Sequence, residues 1–418
     1  MLQKFTATNY RNLRLNELPL KRINILIGPN NSGKTNLIDA VGFLSHVLLS
    51  ERKDSGFLSE IALRGWDDIL RRASDRPAQI NLKWVFTPDQ EYHDLCYDIS
   101  FQIDKADQPP RGFFITHEQL RYEQPAEGHA SPYNFFLSPS EPNGKGAFSA
   151  HARTEGKPRT IYLDVDPRDT VFRQVTTLLE DAKFRTDVYP TFMKAVQKVK
   201  SYFEGYYSYS STYLRLDTLR EPVKFEMDST QLGRDGSNFV NVLSFLDKQY
   251  DFLDTYTESL RELIHGLSKV KVLHRTQTNV DVELRIDNSP FKLKEMSDGT
   301  LKAMLLNLLL HTPERVSLLS LDEPEVNLHP AWLKVVARWI LTSSSADQIF
   351  ISTHSPDLLD GFTEAFQQGE VNLLVGSLSS DQTIIPAHPD QVSNFLNDGW
   401  ELGDLYRVGE PLLGGWPW

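Results

Sequence analysis

Residues 23–41 read INILIGPNNSGKTNLIDAV, and this stretch decides the fold. The apolar run INILI ends at Gly28-Pro29 and predicts a short buried strand. From Thr35 to Leu49 the apolar residues recur at helical spacing, which predicts an amphipathic helix. Between the two, residues 28–35 fit the pattern G-x-x-x-x-G-K-[ST] completely. We therefore predict a phosphate-binding loop that joins a strand to a helix.

Each residue type in this loop has a chemical reason to be there. The glycines let successive backbone N–H groups turn toward a phosphate chain, and the helix N-terminus adds partial positive charge. Lys34 is expected to reach the β- and γ-phosphates of ATP, and the Thr35 hydroxyl is expected to ligate Mg²⁺. The residues assigned to nucleotide binding are Gly28, Asn30, Asn31, Ser32, Gly33, Lys34, Thr35 and Asn36.

A second set of functional residues ends an apolar run near the C-terminus. Residues 316–330 read VSLLSLDEPEVNLHP and predict a strand that ends in two carboxylates. Ligands of open α/β folds bind at the carboxyl ends of the strands. Asp322 is therefore expected to hold Mg²⁺, and Glu323 is expected to polarise the attacking water.

Two further segments accompany this pair. Residues 349–356, IFISTHSP, predict another strand, which presents His354 beside the end of the previous one. His354 is then either a contact of the γ-phosphate or the attacking water, or an ordinary solvated or hydrogen-bonded histidine. Residues 294–300, KEMSDGT, stand directly before a long apolar helix. Ser297 and Gly299 then form either a second phosphate-sized group of donors or an ordinary helix N-cap.

The order of these motifs resembles the ABC-type ATPases of the RecF, SMC and OLD (overcoming-lysogenization-defect) kind. The N-terminal run TNYRNLRLNELPLKRINILIGPNNSGKTNLIDAV is similar to the opening of RecF-like proteins, and the resemblance covers residues 1–50 and 290–360. It implies that residues 296–300 are the signature motif, with Ser297, Asp298 and Gly299 acting on the nucleotide of a second subunit. It also implies that His354 is the switch histidine and that residues 326–330 stand in the D-loop place.

Departures from the pattern favour one branch of this group. His329 stands where many transporter-type proteins carry the D-loop aspartate, and Asp298 and Thr300 alter the usual signature, which favours the OLD-like branch. The Q-loop glutamine stays open among Gln90, Gln102 and Gln119. Arg11 contacts phosphate or DNA if it follows the family, but a surface-strand arginine is the simpler expectation.

Two parts of the larger relatives are not expected in this chain. The residues after His354 are few and lack a clustered Glu and Asp-x-Asp set, so we expect no C-terminal Toprim nuclease domain. The region between the motifs breaks helical periodicity repeatedly, so no SMC-type coiled-coil arms are expected.

Composition limits the partners and the location of the protein. Its 418 residues carry a net charge of −12, so the chain as a whole has no electrostatic attraction to DNA or to an anionic membrane. A DNA contact would need a local basic patch. No apolar run is long enough to cross a membrane. Cys96 is the single cysteine, and a reduced cytoplasmic setting is expected.

The expected architecture is an α/β ABC-type head with a mixed sheet flanked by helices. Residues 2–27 predict two strands around a turn, and residues 79–123 an antiparallel sheet. Residues 124–157 predict either a long surface loop or a domain boundary. We predict three parts, described here by their content: an N-terminal lobe with the P-loop, an inserted and mostly helical subdomain, and a C-terminal lobe with the remaining motifs. Their ranges are 1–123, 124–230 and 231–418.

The resemblance implies a nucleotide-dependent switch. Such heads form a homodimer or higher oligomer around ATP, which suggests control of a separate effector, a nuclease or toxin, in bacterial anti-phage defence. The alternative is a RecF-like repair or replication ATPase that binds DNA. An energy-coupling subunit for membrane transport is disfavoured by the N-terminal strands, the insertion and the LHP sequence at residues 328–330.

Overall fold

The protein is described from a computed structural model. The structure describes residues 1–49, 69, 78–87, 93–103, 113–139, 144–150, 159–227, 229–274, 279–378, 381–409 and 413. The chain forms two compact units. Unit 1 comprises Met1–Lys21, Pro29–Tyr206 and Leu374–Pro386, and unit 2 comprises Arg22–Gly28, Tyr207–Leu373 and Ala387–Trp418.

Strands and helices are numbered here in chain order. The strands are β1 Leu2–Thr8, β2 Arg14–Pro19, β3 Ile23–Ile27, β4 Ala78–Phe86, β5 Leu95–Ile103, β6 Phe113–Tyr122, β7 Asn134–Ser138, β8 Lys145–Ala150, β9 Arg159–Asp164, β10 Tyr206–Ser210, β11 Val223–Lys224, β12 Leu267–His274, β13 Asn279–Ile286, β14 Ser289–Lys292, β15 Val316–Asp322, β16 Ala346–Ser352, β17 Val371–Gly376 and β18 Ile384–Ala387. The helices are α1 Lys34–Val41, α2 Phe43–Leu49, α3 Val175–Leu178, α4 Tyr189–Glu204, α5 Phe239–Tyr250, α6 Phe252–Leu260, α7 Asp298–His311, α8 Pro330–Thr342, α9 Pro356–Asp360, α10 Thr363–Gln367, α11 Pro389–Asn397 and α12 Leu402–Val408. A π-helical turn at Phe184–Val188 precedes α4, and 3₁₀ turns lie at Leu216–Arg220 and Leu293–Glu295.

Unit 1 is built on an eight-stranded sheet with the order β2-β1-β4-β5-β6-β7-β8-β9. Its neighbouring strands pair antiparallel. Along β8 the buried residues are Gly146, Phe148 and Ala150, at every second position, as a strand with one face on the core requires. The antiparallel sheet expected for residues 79–123 is confirmed.

Helices of unit 1 pack against this sheet through aromatic side chains. The Phe43 ring of α2 stacks on Phe101 at 6.1 Å between centroids, and the Phe203 ring of α4 meets Trp84 edge-on, also at 6.1 Å. The buried Trp84 indole N–H donates to the Val41 carbonyl at 3.1 Å, so the polar end of that ring is satisfied. These contacts fix the helix that follows the glycine-rich loop.

Unit 2 contains a sheet with parallel strands. Strands β10, β15, β16, β3 and β17 are neighbours in that order, and β15–β16 and β16–β3 pair parallel. Helix α8 connects β15 to β16, which is the right arrangement for adjacent parallel strands. In α7 every residue from Leu301 to Leu310 is buried, so this helix lies inside the unit and not on its surface.

A smaller antiparallel sheet in unit 2 has the order β11-β13-β12, and β14 also pairs with β13. Helices α5 and α6 pack on it, and Val270 N on β12 donates to Thr257 Oγ1 on α6 at 3.1 Å.

Three expectations about local structure were wrong. Residues 2–27 hold three strands instead of two. The helix expected from Thr35 to Leu49 is divided at Gly42, where a Cβ would lie 2.4 Å from the Tyr206 ring, so only glycine allows that ring to pack there. Residues 124–157 are not a surface loop, because β7 and β8 lie in this range.

The inserted region holds strands as well as helices. In the range 124–230, β7 to β11 accompany α3, α4 and the helical turns. The division into 1–123, 124–230 and 231–418 stays a prediction. Within the part of the chain that the structure describes, no helix is long and apolar enough to cross a bilayer.

Candidate functional site

The glycine-rich loop begins where β3 ends. All five residues of β3 are buried, and the chain turns at Gly28 with φ 128°. Gly33, with φ 100°, is the residue before α1, in a backbone conformation that a Cβ would strain. No side chain at this residue caps α1. A helix N-terminus of this kind suits an anion.

Two buried polar groups line the inside of this loop. Lys34 is 7% exposed, and its Nζ donates to the Pro29 carbonyl at 3.0 Å. Ser32 Oγ is buried and has no hydrogen-bond partner among the described residues. Asn30, Asn31 and Thr35 are exposed. A cationic loop with an unsatisfied buried hydroxyl fits a bound phosphate group.

Asn12, in the turn after β1, supports the glycine-rich loop through hydrogen bonds. Its Nδ2 donates to the Asn31 carbonyl at 2.7 Å, and its Oδ1 accepts from Asn36 Nδ2 at 2.8 Å. A Cβ at Gly33 would lie 2.9 Å from the same Oδ1. The asparagine therefore supports the loop only because position 33 has no side chain.

Arg11 is part of the same support. Its Nη1 donates to Asn36 Oδ1 at 2.9 Å, and its Nη2 lies 3.4 Å from Asp39 Oδ2, which also accepts from Tyr10 Oη at 2.6 Å. The simpler expectation of a surface-strand arginine was wrong, since the side chain braces α1. Asn36, expected at the nucleotide, is held by Arg11 and Asn12.

The parallel strands of unit 2 bring their carboxyl ends to one edge. Asp322 at the end of β15 is in register with Ser352 of β16, and Ser352 is in register with Leu26 of β3. Thr353 N donates to the Leu26 carbonyl at 3.0 Å. Gly28, where the loop starts, is thus delivered to the edge that carries Asp322.

Serine residues hold the Asp322 carboxylate and the Glu323 backbone at that edge. Ser352 Oγ donates to Asp322 Oδ1, and Ser210 Oγ lies 3.5 Å from Oδ2. Glu323 has φ 49°, a left-handed conformation that is unfavourable for a residue with a Cβ. Its N–H donates to the Ser352 carbonyl at 3.0 Å, and its own carbonyl accepts from Ser211 Oγ at 2.6 Å. Both polar backbone groups of Glu323 are therefore fixed.

His354 lies beside Glu323. Its Nε2 is 3.8 Å from Glu323 Oε1, and its Nδ1 is 3.5 Å from Tyr406 Oη on α12. The backbone is set by Glu325, whose Oε1 accepts from Thr353 Oγ1 at 2.8 Å and from His354 N at 2.9 Å. Burial raises the pKa of Glu325, while these two donors oppose the shift. The arrangement places an imidazole and a carboxylate where one water could contact both.

The predicted signature residues lie at the start of α7. Ser297 is the N-cap, and its Oγ accepts from Thr300 N at 3.2 Å, so the ordinary capping role is present. Asp298 accepts from Arg220 Nη2, and Arg220 Nη1 donates to the Met296 carbonyl at 2.9 Å. A Cβ at Gly299 would lie 2.8 Å from the Asn327 carbonyl. Action on a second subunit stays a prediction.

Comparison with known families agrees with this geometry. Residues 1–214 match the family model described as "AAA ATPase domain", which is more than half of the chain. The chain belongs to the AAA ATPase domain family. Residues 122–360 of this AAA ATPase also match the model described as "AAA domain, putative AbiEii toxin, Type IV TA system". No curated protein matches its sequence significantly.

Solved structures similar to the AAA ATPase include SMC heads. An SMC head bound to the C-winged helix domain of ScpA is 13% identical, with 94% of this chain and 99% of that chain covered and a TM-score of 0.50. The SMC head domain from Thermotoga maritima is 13% identical over 92% and 98%, with a TM-score of 0.41. A head with an extended coiled coil from Pyrococcus furiosus is 12% identical over 95% and 98%, with a TM-score of 0.44. The first similarity supports the fold alone, and it confirms the expected α/β head in which sheets are flanked by helices.

Sequence reasoning missed several residues of the AAA ATPase that support Glu323. Ser210 and Ser352 hold the side chain of the neighbouring Asp322, and Ser211 holds the Glu323 carbonyl. Lys302 on α7 donates to Ser211. The one available signal was Lys302, a charged residue inside the apolar run LKAMLLNLLLH, because lysine is almost never fully buried without a partner.

Two further expectations concern the metal and the Q-loop. No group of three or more His, Cys, Asp or Glu side chains that could hold a metal ion occurs within the described ranges. Mg²⁺ in nucleotide sites needs only one or two carboxylates together with substrate phosphates, so Asp322 and Thr35 stay candidate ligands. Gln90 lies outside the described residues, Gln102 is on β5, and Gln119 Nε2 donates to Asn134 Oδ1 at 2.6 Å. The Q-loop assignment stays open.

Proposed function

We propose that this AAA ATPase hydrolyses ATP with Glu323 as the group that polarises water and His354 as its neighbour at the γ-phosphate. The observation that carries the proposal is the 3.8 Å separation of His354 Nε2 from Glu323 Oε1, at the ends of adjacent parallel strands. Both side chains are partly exposed, 32% and 45%, as groups that meet a substrate must be. Lys34 and the backbone of residues 28–35 would bind the phosphates.

The carboxylate and hydroxyl at the two motifs have separate roles in this proposal. Asp322 and Thr35 would hold Mg²⁺, which when bound neutralises charge on the phosphate oxygens. Asp322 is already oriented by Ser352 and Ser210, so its carboxylate needs little reorganisation.

Replacing one carboxylate tests this assignment. Glu323→Gln should leave ATP bound while turnover falls at least about 100-fold, because the amide cannot orient and activate water. The measurements are the ATPase rate and the Kd of a non-hydrolysable ATP analogue. Glu364→Gln, the same replacement at an exposed carboxylate, is the control and should change neither. Undiminished hydrolysis by Glu323→Gln would remove Glu323 from the mechanism.

We further propose that ATP closes a symmetric homodimer. Ser297 and Asp298 are exposed at the N-terminus of α7, which supports a role toward the nucleotide of a second subunit. ATP binding would then drive subunit association, and hydrolysis would reverse it. The Glu323→Gln protein should shift from monomer to dimer when ATP and Mg²⁺ are added, as measured by light scattering. A mass that is unchanged by ATP would argue against the switch.

The output that we propose is control of a separate effector, a nuclease or toxin, in anti-phage defence. The support is the earlier resemblance to free-standing OLD-like ATPases, together with the toxin named in the description of one matching family model. Co-expression with the product of the neighbouring gene tests it. We expect that product to co-purify with the wild-type ATPase, and we expect the affinity between the two proteins to change when ATP is added. Failure of the product to bind with or without ATP would count against the role.

A second candidate function is DNA binding, and one surface favours it. On the small sheet of unit 2, Lys269 is in register with Arg285, and Glu283 is in register with both Lys271 and Lys292. Side chains in register share a face, so this face presents four cations around one partly exposed carboxylate, although the chain as a whole is acidic. A local basic patch of this kind is what phosphate-backbone contacts require.

Salt dependence separates the two candidates. If the basic face binds DNA, the affinity for duplex DNA should fall steeply with salt, and Lys269→Glu with Arg285→Glu should abolish it while the ATPase rate is kept. Fluorescence anisotropy with a labelled duplex measures this. Lys194→Glu, an exposed lysine on α4, serves as the charge control. The absence of DNA binding at low salt would leave the effector proposal as the better one.

A further inference from the structure

Lys302 is a buried cation on the helix that follows the signature motif. The residue is 1% exposed, and the other residues around it on α7 are almost entirely apolar. Its Nζ donates to Ser211 Oγ at 2.6 Å and to the Val326 carbonyl. Burial of an ammonium group without hydrogen-bond partners destabilises the folded state. Both contacts are therefore needed to keep Lys302 inside the protein.

Ser211 passes this contact on to Glu323. Its hydroxyl accepts from Lys302 and donates to the Glu323 carbonyl at 2.6 Å. The Ser211 N–H also lies 3.4 Å from the Asp322 carbonyl, so the serine stays against the end of β15. Lys302, Ser211 and the Glu323 backbone therefore form one continuous hydrogen-bonded chain.

The Glu323 backbone needs such a restraint. Its φ of 49° is a conformation that a non-glycine residue keeps only when its surroundings hold it. The N–H side is held by Ser352, and the carbonyl side is held by Ser211. Without Ser211 or its partner Lys302, one half of the restraint is missing, and the Glu323 side chain loses a defined direction.

The Val326 contact extends the restraint to the next turn. Lys302 binds the Val326 carbonyl, one residue before Asn327, whose carbonyl approaches Gly299. The same lysine therefore fixes both ends of residues 323–326 to α7. Glu325 and Glu323 carry the opposite charge nearby, which favours the charged lysine even though burial lowers its pKa.

We propose that Lys302 and Ser211 are positioning residues that hold Glu323 and residues 324–326 in the geometry needed for hydrolysis. The proposal rests on the assignment of Glu323 as the group that polarises water. Neither residue needs to touch ATP, so removal of either should lower kcat and leave nucleotide affinity unchanged. If the two residues had a purely structural role, their replacement would lower thermal stability, and kcat per folded molecule would stay at the wild-type value.

Two replacements and one matched control separate these roles. Lys302→Met keeps the length of the side chain and removes the ammonium, and Ser211→Ala removes the hydroxyl. The control is Asn307→Ala on the same helix, because Asn307 is also buried and polar but exchanges hydrogen bonds with Ser259 of α6. Ser211→Thr keeps a hydroxyl and should therefore keep a kcat close to that of the wild type.

We expect Lys302→Met and Ser211→Ala each to lower kcat by about tenfold or more, with the Kd of a non-hydrolysable ATP analogue within about twofold of wild type. The double variant should lose no more than the worse single variant, because both act through one chain of hydrogen bonds. Asn307→Ala should lower Tm and keep kcat. Unchanged kcat in both single variants, or a loss of kcat in Asn307→Ala of the same size, would overturn the proposal.

A second measurement does not depend on hydrolysis. Hydrogen exchange of the peptide that covers residues 320–328 should speed up in Lys302→Met and Ser211→Ala but not in Asn307→Ala. Exchange that is the same in all three would refute positioning even if the enzyme is active. If exchange is faster in the two variants but the wild-type protein does not hydrolyse ATP, the proposed function is refuted. The finding that Lys302 and Ser211 restrain residues 323–326 would still hold.

Discussion

Gly299 lies against the backbone of Asn327, so that a Cβ at position 299 would come within 2.8 Å of the Asn327 carbonyl oxygen. The glycine stands at the start of α7, and Asn327 belongs to the turn after Glu323. Because the nearby atom belongs to the backbone, it cannot move aside as a flexible side chain would. The start of α7 and the turn after Glu323 therefore fit together only with glycine at this position.

Gly299→Ala should push this turn outward and slow hydrolysis. A displacement of the order of 1 Å near Glu323 should lower kcat between about 10-fold and 100-fold, with ATP affinity kept. Steady-state kinetics and analogue binding measure the two quantities. Gly128→Ala is the control, because a Cβ there meets nothing within 4 Å, although its φ of 80° costs some stability. Equal kcat in Gly299→Ala and wild type would show that the turn tolerates the shift.

Lys34→Ala should remove most ATP binding. The ammonium that would neutralise the β- and γ-phosphates is lost, while the loop keeps its support from Asn12, so affinity should fall at least about 100-fold. Calorimetry with a non-hydrolysable analogue measures it, and Lys194→Ala, an exposed lysine of the same unit, is the control. An affinity within a factor of a few of wild type would mean that the loop does not bind nucleotide.

Ser297→Arg tests whether the signature residues act on a second subunit. The arginine should block hydrolysis by its bulk and leave ATP binding to the monomer intact. Ser297→Gly removes the cap hydroxyl without adding bulk and should cost only a few tenths of a kcal/mol, so it separates capping from blocking. The ATPase rate of the two variants gives the comparison, and normal hydrolysis by Ser297→Arg would reduce residues 296–300 to a helix cap.

Subunit mixing extends this test. In a mixed dimer of Ser297→Arg and Lys34→Ala, both lesions fall in one composite site and the other site is intact. After random exchange at equal concentrations, about a quarter of the wild-type rate should return if the sites are independent, and less if they are cooperative. The absence of any recovery, with exchange of subunits demonstrated, would contradict the composite site.

Glu118 predicts a pH dependence of stability. This carboxyl group is fully buried between Tyr97 Oη at 2.9 Å and Val171 N at 2.8 Å, and burial raises its pKa from 4.5 to about 8. Between these two values the unfolded chain releases the proton and the folded chain keeps it, so stability falls as pH rises, by up to about 1.4 kcal/mol per pH unit. The contribution is constant below pH 4.5 and again above pH 8.

Glu118→Gln should flatten this slope, because the amide does not titrate. Urea unfolding of both proteins at pH 5.5 and pH 7.5 measures the difference in the free energy of unfolding. Glu180→Gln, an exposed carboxylate, should keep the wild-type slope. Parallel slopes for Glu118→Gln and wild type would mean that another group carries the pH dependence.

The catalytic candidates could be predicted from sequence because each one ends an apolar strand. Asp322, Glu323 and His354 follow buried runs, and parallel strands bring such ends to one edge. Ser211 could not be predicted, because its contact with Glu323 joins positions far apart in the chain. Strands β7 and β8 were hidden because the Pro, Gly and Ser residues around them are typical of turns. The break at Gly42 depends on the distant Tyr206 ring, which no local pattern shows.

Strand β3 is made early in synthesis and pairs late. Its residues 23–26 are in register with residues 349–352 of β16, so the strand that leads into the glycine-rich loop waits for most of the chain to leave the ribosome. Until then the edge of a strand that is apolar except for Asn24 is unpaired, which is the kind of surface that chaperones cover. A fragment that stops before residue 346 would carry the complete loop sequence on a strand without its neighbour. Premature termination should therefore give an aggregating product and no partially active nucleotide-binding one.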